Sequence, residues 1–381
     1  MKRIGLCLFL FLAFLGSVQA EDLTPNSESA ILLEVSTGKV VYEKKANAKL
    51  EPASMTKVMS MLLIMEAIDG NKLSLDDDVV ISDNASSMGG SQIFLQTGEK
   101  YKVRELLKGI AIASGNDAVV AMAEKVSGSV SAFVEAMNNK AKALGLTNTH
   151  FDNPHGLHSE NHYTTARDMS VIARELLKHE TILEFTSIYE DYLKKPDGSS
   201  VWLVNTNKLV RFYEGVDGLK TGFTSEAGYC ITTTAKRNNM RLLSVVMKAE
   251  TTDLRSKDTV SMLNYGFNTY KIHPILTKEE NLGEVHIIKG EKLKARVSLQ
   301  EDVNLLGKVS DGNQEYHYNV IIDEVKAPIN ENSKVGKVEV LDQENHLVQE
   351  ADLVIKETVD KASFFTTFKR VLGVFTQGIL E

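Results

Sequence analysis

Cysteine is almost absent from this sequence: 381 residues hold two. Cys7 lies in an apolar stretch near the start, and Cys230 stands alone in the strand-like run Ala227-Gly228-Tyr229-Cys230-Ile231-Thr232. A basic excess is missing too. Asp and Glu outnumber Lys and Arg, 51 to 43, for a formal net charge of −8. That balance gives no electrostatic footprint for nucleic acid. The apolar stretch, residues 4–15, is too short for a comfortable transmembrane helix. Lys2 and Arg3 precede it, and Gly16-Ser17-Val18-Gln19-Ala20 follows, ahead of Glu21-Asp22. A basic region, an apolar region and small residues at a cleavage point predict that residues 1–20 are a secretory signal and that the protein is exported. Cys7 does not sit at a lipobox position. Loss of Lys2 and Arg3 takes the net charge to about −10. Cys7 leaves as well, so the mature monomer cannot form an internal disulfide, and Cys230 reads as a small buried core residue and not as a reactive thiol.

What is present fits an ordinary folded protein, with 43% hydrophobic and 25% charged residues and length for two or three domains. Residues 30–35 and 39–43 alternate like paired strands around Thr37-Gly38. Residues 76–101 are polar and turn-rich. Helices are predicted over 103–113, 117–126, 130–144 and 166–177, the last capped by Thr165. An irregular region around Pro196-Asp197-Gly198 leads to Asn205-Thr206-Asn207. Strands over 228–235 and 241–247 flank Lys236-Arg237-Asn238-Asn239, a hairpin turn, and a helix runs from Thr252 to about Tyr270. From about Pro274 short alternating runs recur, at 285–288, 293–297, 316–322, 337–340 and 353–355, which suggests a small all-β sandwich. From about Ser363, Phe364, Phe368, Val371, Leu372, Phe375 and Ile379 form one stripe, with Phe365 at its margin. Lys361, Lys369 and Arg370 add basic charge, so this is an amphipathic helix.

The stretch that organises the chemistry is Pro52-Ala53-Ser54-Met55-Thr56-Lys57. An apolar run at helical spacing follows through Ile68 and stops at Gly70. Serine and lysine three apart share a helical face. The amine can take the hydroxyl proton if burial or a neighbouring cation lowers its pKa. Alone the motif is weak. About one or two Ser-x-x-Lys are expected by chance in such a chain, and a second, Ser36-Thr37-Gly38-Lys39, reads as a hairpin turn. Ser54 serves equally as a helix N-cap followed by a solvated lysine.

Two further motifs stand in order after it: Ser114-Gly115-Asn116 in an interhelical loop, and Lys220-Thr221-Gly222 near a strand start. The three together resemble the active-site serine penicillin-binding proteins and serine β-lactamases. Phe151-Asp152-Asn153-Pro154-His155-Gly156-Leu157, Tyr163-Thr164-Thr165-Ala166-Arg167-Asp168 and Gly218-Leu219-Lys220-Thr221-Gly222 look like the low-molecular-mass D-alanyl-D-alanine carboxypeptidases, over roughly residues 27–270. The resemblance implies an α+β fold: a β-lactamase/transpeptidase-like catalytic domain with an antiparallel sheet flanked by helices (21–272), then a small all-β sandwich (273–357) and a C-terminal amphipathic membrane-anchoring helix (358–381).

It also implies roles. Ser54 would attack the D-Ala-D-Ala carbonyl, with Lys57 as its base. Ser114 would relay a proton to the leaving nitrogen, and Asn116 would hold Lys57 and the substrate amide. Lys220 and Thr221 would meet the substrate carboxylate, beside Gly222. Backbone N–H groups of Ser54 and Phe223 would form the oxyanion hole. Arg255 is a second candidate for the carboxylate, or a solvated helix arginine. Val216-Asp217-Gly218 would shape the turn into the strand. No cofactor and no metal are expected, because the loop with His155 and His158 lacks a third-ligand pattern. The implied partners are peptidoglycan pentapeptide stems, β-lactams and, through the tail, the outer face of the cytoplasmic membrane. Two rivals remain: a serine β-lactamase, although no Glu-x-x-Leu-Asn lies between Asn116 and Lys220, and a non-catalytic penicillin-binding sensor or scaffold.

Overall fold

A computed structural model describes residues 22–312 and 314–377, without the side chains of 373–377. The expected signal at 1–20, the stripe position Ile379 and the side chain of Phe375 lie outside this description.

The first unit is built on a five-stranded antiparallel sheet. Its order is Val40–Lys44, Ser27–Glu34, Met240–Ala249, Gly228–Arg237, Val216–Thr224. Two-residue alternation sends neighbouring side chains to opposite faces. Ile31, Leu33, Leu243, Val245 and Met247 pack into the large core on one face. Ala30, Leu32, Leu242 and Val246 pack on the other, with Met262 and Leu263 of the helix Thr252–Thr269. The helix Lys57–Asp69 is the axis of the large core. Residues 57–62 and Ile64 and Met65 are all buried, which is what a helix apolar on every side requires. Around it stand Val103–Ala111, Asn116–Ser127, Val130–Ala143 and Ala166–Leu176. Thr165 caps the last, its hydroxyl accepting from Asp168 N at 3.0 Å.

The region read as irregular is a hairpin. Glu190–Lys194 pairs with Ser200–Val204, and Pro196-Asp197-Gly198 is its turn. Of its strand residues only Leu193 and Leu203 are buried, Val201 is partly covered, and Tyr192 and Trp202 stay exposed, so little alternation marked it. The Lys220 motif, expected near a strand start, lies in the middle of Val216–Thr224. Asp217 is therefore in a strand and not in a turn, and it accepts from Arg241 Nη1 at 2.8 Å. Cys230 is buried, and burial pushes its thiol up to about 11.

The second unit follows directly from the helix Thr252–Thr269. The strand Tyr270–Leu276 pairs with Val303–Lys308. Beyond it a six-stranded sheet has the order His317–Ile322, Lys334–Leu341, Leu347–Ile355, Lys294–Leu299, Glu284–Ile288, Val325–Lys326. It closes over its own core, including Val285, Val297, Val338 and Leu353. The helix Phe364–Gln377 ends the described chain. Arg370, one of the basic residues of the tail, donates to the carbonyls of Gly290 and Glu291 at 2.7 and 2.6 Å.

Candidate active site

Ser54 sits in a single 3-10 turn, Ala53–Thr56, that runs into the helix Lys57–Asp69. No side chain caps either start, so Ser54 is not acting as an N-cap. It is half-buried, while Lys57 is fully buried. Lys57 Nζ lies 2.9 Å from Ser54 Oγ, 2.7 Å from Asn116 Oδ1 and 2.8 Å from the His155 carbonyl oxygen. Burial and the Lys220 charge push the Lys57 amine well below the usual lysine range. The partners then fix its geometry. A carbonyl oxygen can only accept, so a neutral amine gives its two N–H groups to Asn116 Oδ1 and His155 O. Its lone pair is left pointing at Ser54 Oγ.

Asn116 begins a helix, and its amide is fixed from the far side. Its Nδ2 donates to Gly89 O at 2.7 Å, and its backbone N–H to Ser91 O at 2.7 Å. The adjacent Asp117 is buried and accepts from the N–H groups of Ile93 and Leu95, at 3.0 and 3.1 Å. The polar segment around Gly89-Gly90 is therefore a wall of the site. Ser114 is buried in the preceding loop at φ 64°.

The strand Val216–Thr224 closes the other side. A Cβ on Gly222 would stand 2.7 Å from Pro52 O and 3.0 Å from Ser54 N, so the close approach of the strand to the turn that carries Ser54 needs glycine there. Thr221 Oγ1 donates to Thr206 Oγ1 at 2.7 Å. Lys220 is buried and donates to Thr221 O at 2.9 Å; burial and then Arg255 push its amine down to about 7. Arg255 is not a solvated helix arginine: it is 4% exposed. Its Nη1 lies 3.4 Å from Cys230 O, its Nε has no hydrogen-bond partner, and burial pushes it down to about 10. Phe223 is exposed and stacks on Tyr229 at 4.3 Å.

One network thus joins Ser54, Lys57 and Asn116, and Gly222 abuts it. Sequence reasoning missed the His155 carbonyl, Thr206, Gly89 and Asp117. Of these only Asp117, a carboxylate following a motif asparagine, left a signal. His155 faces inward, and burial followed by the Lys57 charge pushes it down to about 3. His158 finds its companions on other segments. Its Nδ1 is 2.9 Å from Glu51 Oε1, and with Glu226 the three ligand atoms lie within 4.8 Å of one another.

The sequence pattern of the D-alanyl-D-alanine carboxypeptidase family matches residues 17–251, and that of the penicillin-binding protein 5 C-terminal domain matches 270–361. The chain is 46% identical to D-alanyl-D-alanine carboxypeptidase DacF of Bacillus subtilis over 360 residues, covering 94% of this chain and 92% of that protein. It is 33% identical to DacA of Escherichia coli over 386 residues, covering 96% and 94%. Among solved structures, penicillin binding protein 5 from Haemophilus influenzae superposes with a TM-score of 0.71 at 28% identity, covering 88% of this chain and 98% of that one. With a family pattern over most of its length and relatives this similar from end to end, the chain belongs to the D-alanyl-D-alanine carboxypeptidase family.

Proposed function

We propose that this protein is a serine-type D-alanyl-D-alanine carboxypeptidase of the cell envelope, which removes the terminal D-alanine from peptidoglycan pentapeptide stems and is acylated by penicillins. The observation that carries the mechanism is the pair of acceptor-only partners on Lys57, which reserves its lone pair for Ser54. The Ser54 hydroxyl proton passes to Lys57 as Oγ attacks the penultimate D-alanine carbonyl carbon. The Ser54 and Phe223 N–H groups receive the oxyanion. Ser114 relays a proton to the departing nitrogen, the C–N bond breaks, and D-alanine leaves an ester on Ser54, which water hydrolyses. Asn116 orients Lys57 and the substrate amide. Lys220, Thr221 and Arg255 receive the terminal carboxylate; the buried, partly unpartnered Arg255 guanidinium supports its inclusion.

The tail is the membrane contact. Phe364, Phe365 and Phe368 are 76%, 80% and 51% exposed, and Lys369 is exposed beside them. Among the described residues no helix is long and apolar enough to cross a membrane. The helix therefore lies in the interface, with its phenylalanines in the acyl boundary and the enzyme at the outer face of the cytoplasmic membrane. The catalytic unit is taken as 21–272, the sandwich as 273–357 and the anchor as 358–381.

The test is release of D-alanine from a pentapeptide, beside intact mass after penicillin. The wild-type protein should turn over the peptide and gain one penicillin, and Ser54→Ala should do neither. An adduct that persists on the alanine variant identifies another nucleophile. Faster hydrolysis of penicillin than of peptide indicates a β-lactamase, and acylation without turnover a sensor.

A further inference from the structure

Behind the groups that meet the substrate, we propose that His162 is a positioning residue: through Thr56 it fixes the peptide between Ala53 and Ser54, and so aims the Ser54 hydroxyl and N–H. This rests on the reading of Ser54 as nucleophile and oxyanion donor.

His162 is buried, edge-on to Phe151 with 5.6 Å between ring centroids. Its Nδ1 accepts from Asp152 N at 3.0 Å. A backbone N–H can only donate, so Nδ1 holds a lone pair and the ring proton is on Nε2. That nitrogen lies 2.7 Å from Thr56 Oγ1. The Thr56 hydroxyl donates onward to Ala53 O at 2.8 Å, an acceptor only. The chain runs one way, from Nε2–H to Oγ1 and from Oγ1–H to the Ala53 carbonyl. In a neutral ring no other proton arrangement satisfies all three contacts.

The carbonyl at the end of this chain belongs to the peptide whose N–H is that of Ser54. The peptide is trans, so its C=O and N–H point to opposite sides. Holding Ala53 O therefore sets the direction of the Ser54 N–H. The peptide needs to be held, because Ala53 is at φ 47°, in the left-handed region that residues with a Cβ avoid. Gly156 packs against the same carbonyl: a Cβ there would come 1.8 Å from Ala53 O. Relaxation of Ala53 to negative φ would turn the carbonyl off Thr56 and the Ser54 N–H out of the site.

Three substitutions in the full chain separate this role from simple packing. In His162→Asn the side-chain oxygen takes the place of Nδ1, but no donor reaches Thr56. In His162→Gln the amide N–H takes the place of Nε2 and restores that donor. Thr56→Val keeps the shape and removes the hydroxyl. The readouts are kcat and KM for a pentapeptide, per active site titrated by exhaustive acylation with a fluorescent penicillin. H162N and T56V should each lower kcat per site about 100-fold, the loss that an ångström of misplacement produces. KM should stay within about twofold, as for an interaction made only in the transition state. The double variant should lose no more than either alone, because both act in one chain. H162Q should recover to within about tenfold of wild type. Wild-type kcat per site in H162N, additive losses, or an H162Q no better than H162N overturns the proposal. If H162N does not fold, T56V decides alone, and wild-type kcat per site in it refutes the chain. A wild-type protein that releases no D-alanine would strike the functional reading; the same comparisons made on the rate of acylation of Ser54 by the fluorescent penicillin then decide this one, and wild-type acylation rates in H162N and T56V overturn it.

Discussion

Asn116→Asp exchanges one amide for a carboxylate of the same size, and its effect on Lys57 can be worked from the structure. Asn116 Oδ1 lies 2.7 Å from Lys57 Nζ. At that separation a full negative charge attracts the ammonium by about 6 kcal/mol with an effective dielectric constant of about 20. The Asn116 amide oxygen already supplies roughly half of this, since an ionised acceptor holds a donor about twice as strongly as a neutral one. The remaining ~3 kcal/mol raises the Lys57 pKa by about two units. On the acid limb, where the proposed base is already mostly protonated, the fraction able to accept the Ser54 proton then falls about 100-fold. Acylation by a fluorescent penicillin, followed by stopped flow across pH, should slow by that factor on the acid limb and by less above it. The acid limb of its profile should move up by about two units, and the rate should recover in alkali. The other amide atom, Nδ2, donates to Gly89 O at 2.7 Å, and an oxygen there repels that carbonyl. That second effect lowers the rate equally at every pH. A loss without displacement of the acid limb would therefore refute Lys57 as the base and leave Asn116 only a structural role.

Two other predictions use different parts of the molecule. Burial pushes His162 down to about 4, and burial with the Lys57 charge pushes His155 down to about 3. Both folded values lie below that of an unfolded histidine, so the unfolded chain binds more protons, and stability is lost as pH falls through about 6.5 towards them. Each histidine should cost about 2 kcal/mol at pH 5 relative to pH 7.5. Urea midpoints that agree at the two pH values would contradict this burial. Deleting residues 363–381 should free the enzyme from anionic vesicles while D-alanine release from a soluble peptide stays unchanged; equal sedimentation of the two forms would remove the anchor.

The fold was legible where burial has a period. The strands around Ile31 and Val245 alternate between two cores, and the helix after Lys57 is apolar all round. The hairpin at 190–204 was not legible, because each of its strands buries one leucine and turns its other side chains towards solvent or partial cover. In the site, side-chain chemistry was readable from residue type and order, so Ser54, Lys57 and Asn116 could be named before they were seen to meet. Backbone contributions could not. The His155 carbonyl holds Lys57, but every residue carries a carbonyl, and only the folded loop decides which one arrives. Arg255 shows the same limit. Its helix begins with Thr252, Asp253 and Leu254, which reads as solvated, yet the helix lies on the sheet and carries the guanidinium beneath it.

That buried arginine bears on substrate choice. Lys57, Lys220 and Arg255 are all buried, and among the described residues none makes an ion pair. Asp117 acts on Lys57 from nearby, but its oxygens are engaged by the N–H groups of Ile93, Leu95 and Ala118. A buried cation without a partner neutralises or finds an anion. Lys57 takes the first course, as its proposed role as base requires. Lys220, at about 7, stands at the margin, so an arriving carboxylate should return its proton. Binding a pentapeptide with a free C-terminus to Ser54→Ala at pH 7 should therefore take up to about half a proton, read by calorimetry in buffers of different ionisation enthalpy. The same peptide with an amidated C-terminus should bind weakly, take up no proton, and be a poor substrate for the wild-type enzyme. An amide cleaved as fast as the acid, or free-acid binding with no proton uptake, would show that Lys220 and Arg255 do not receive the carboxylate.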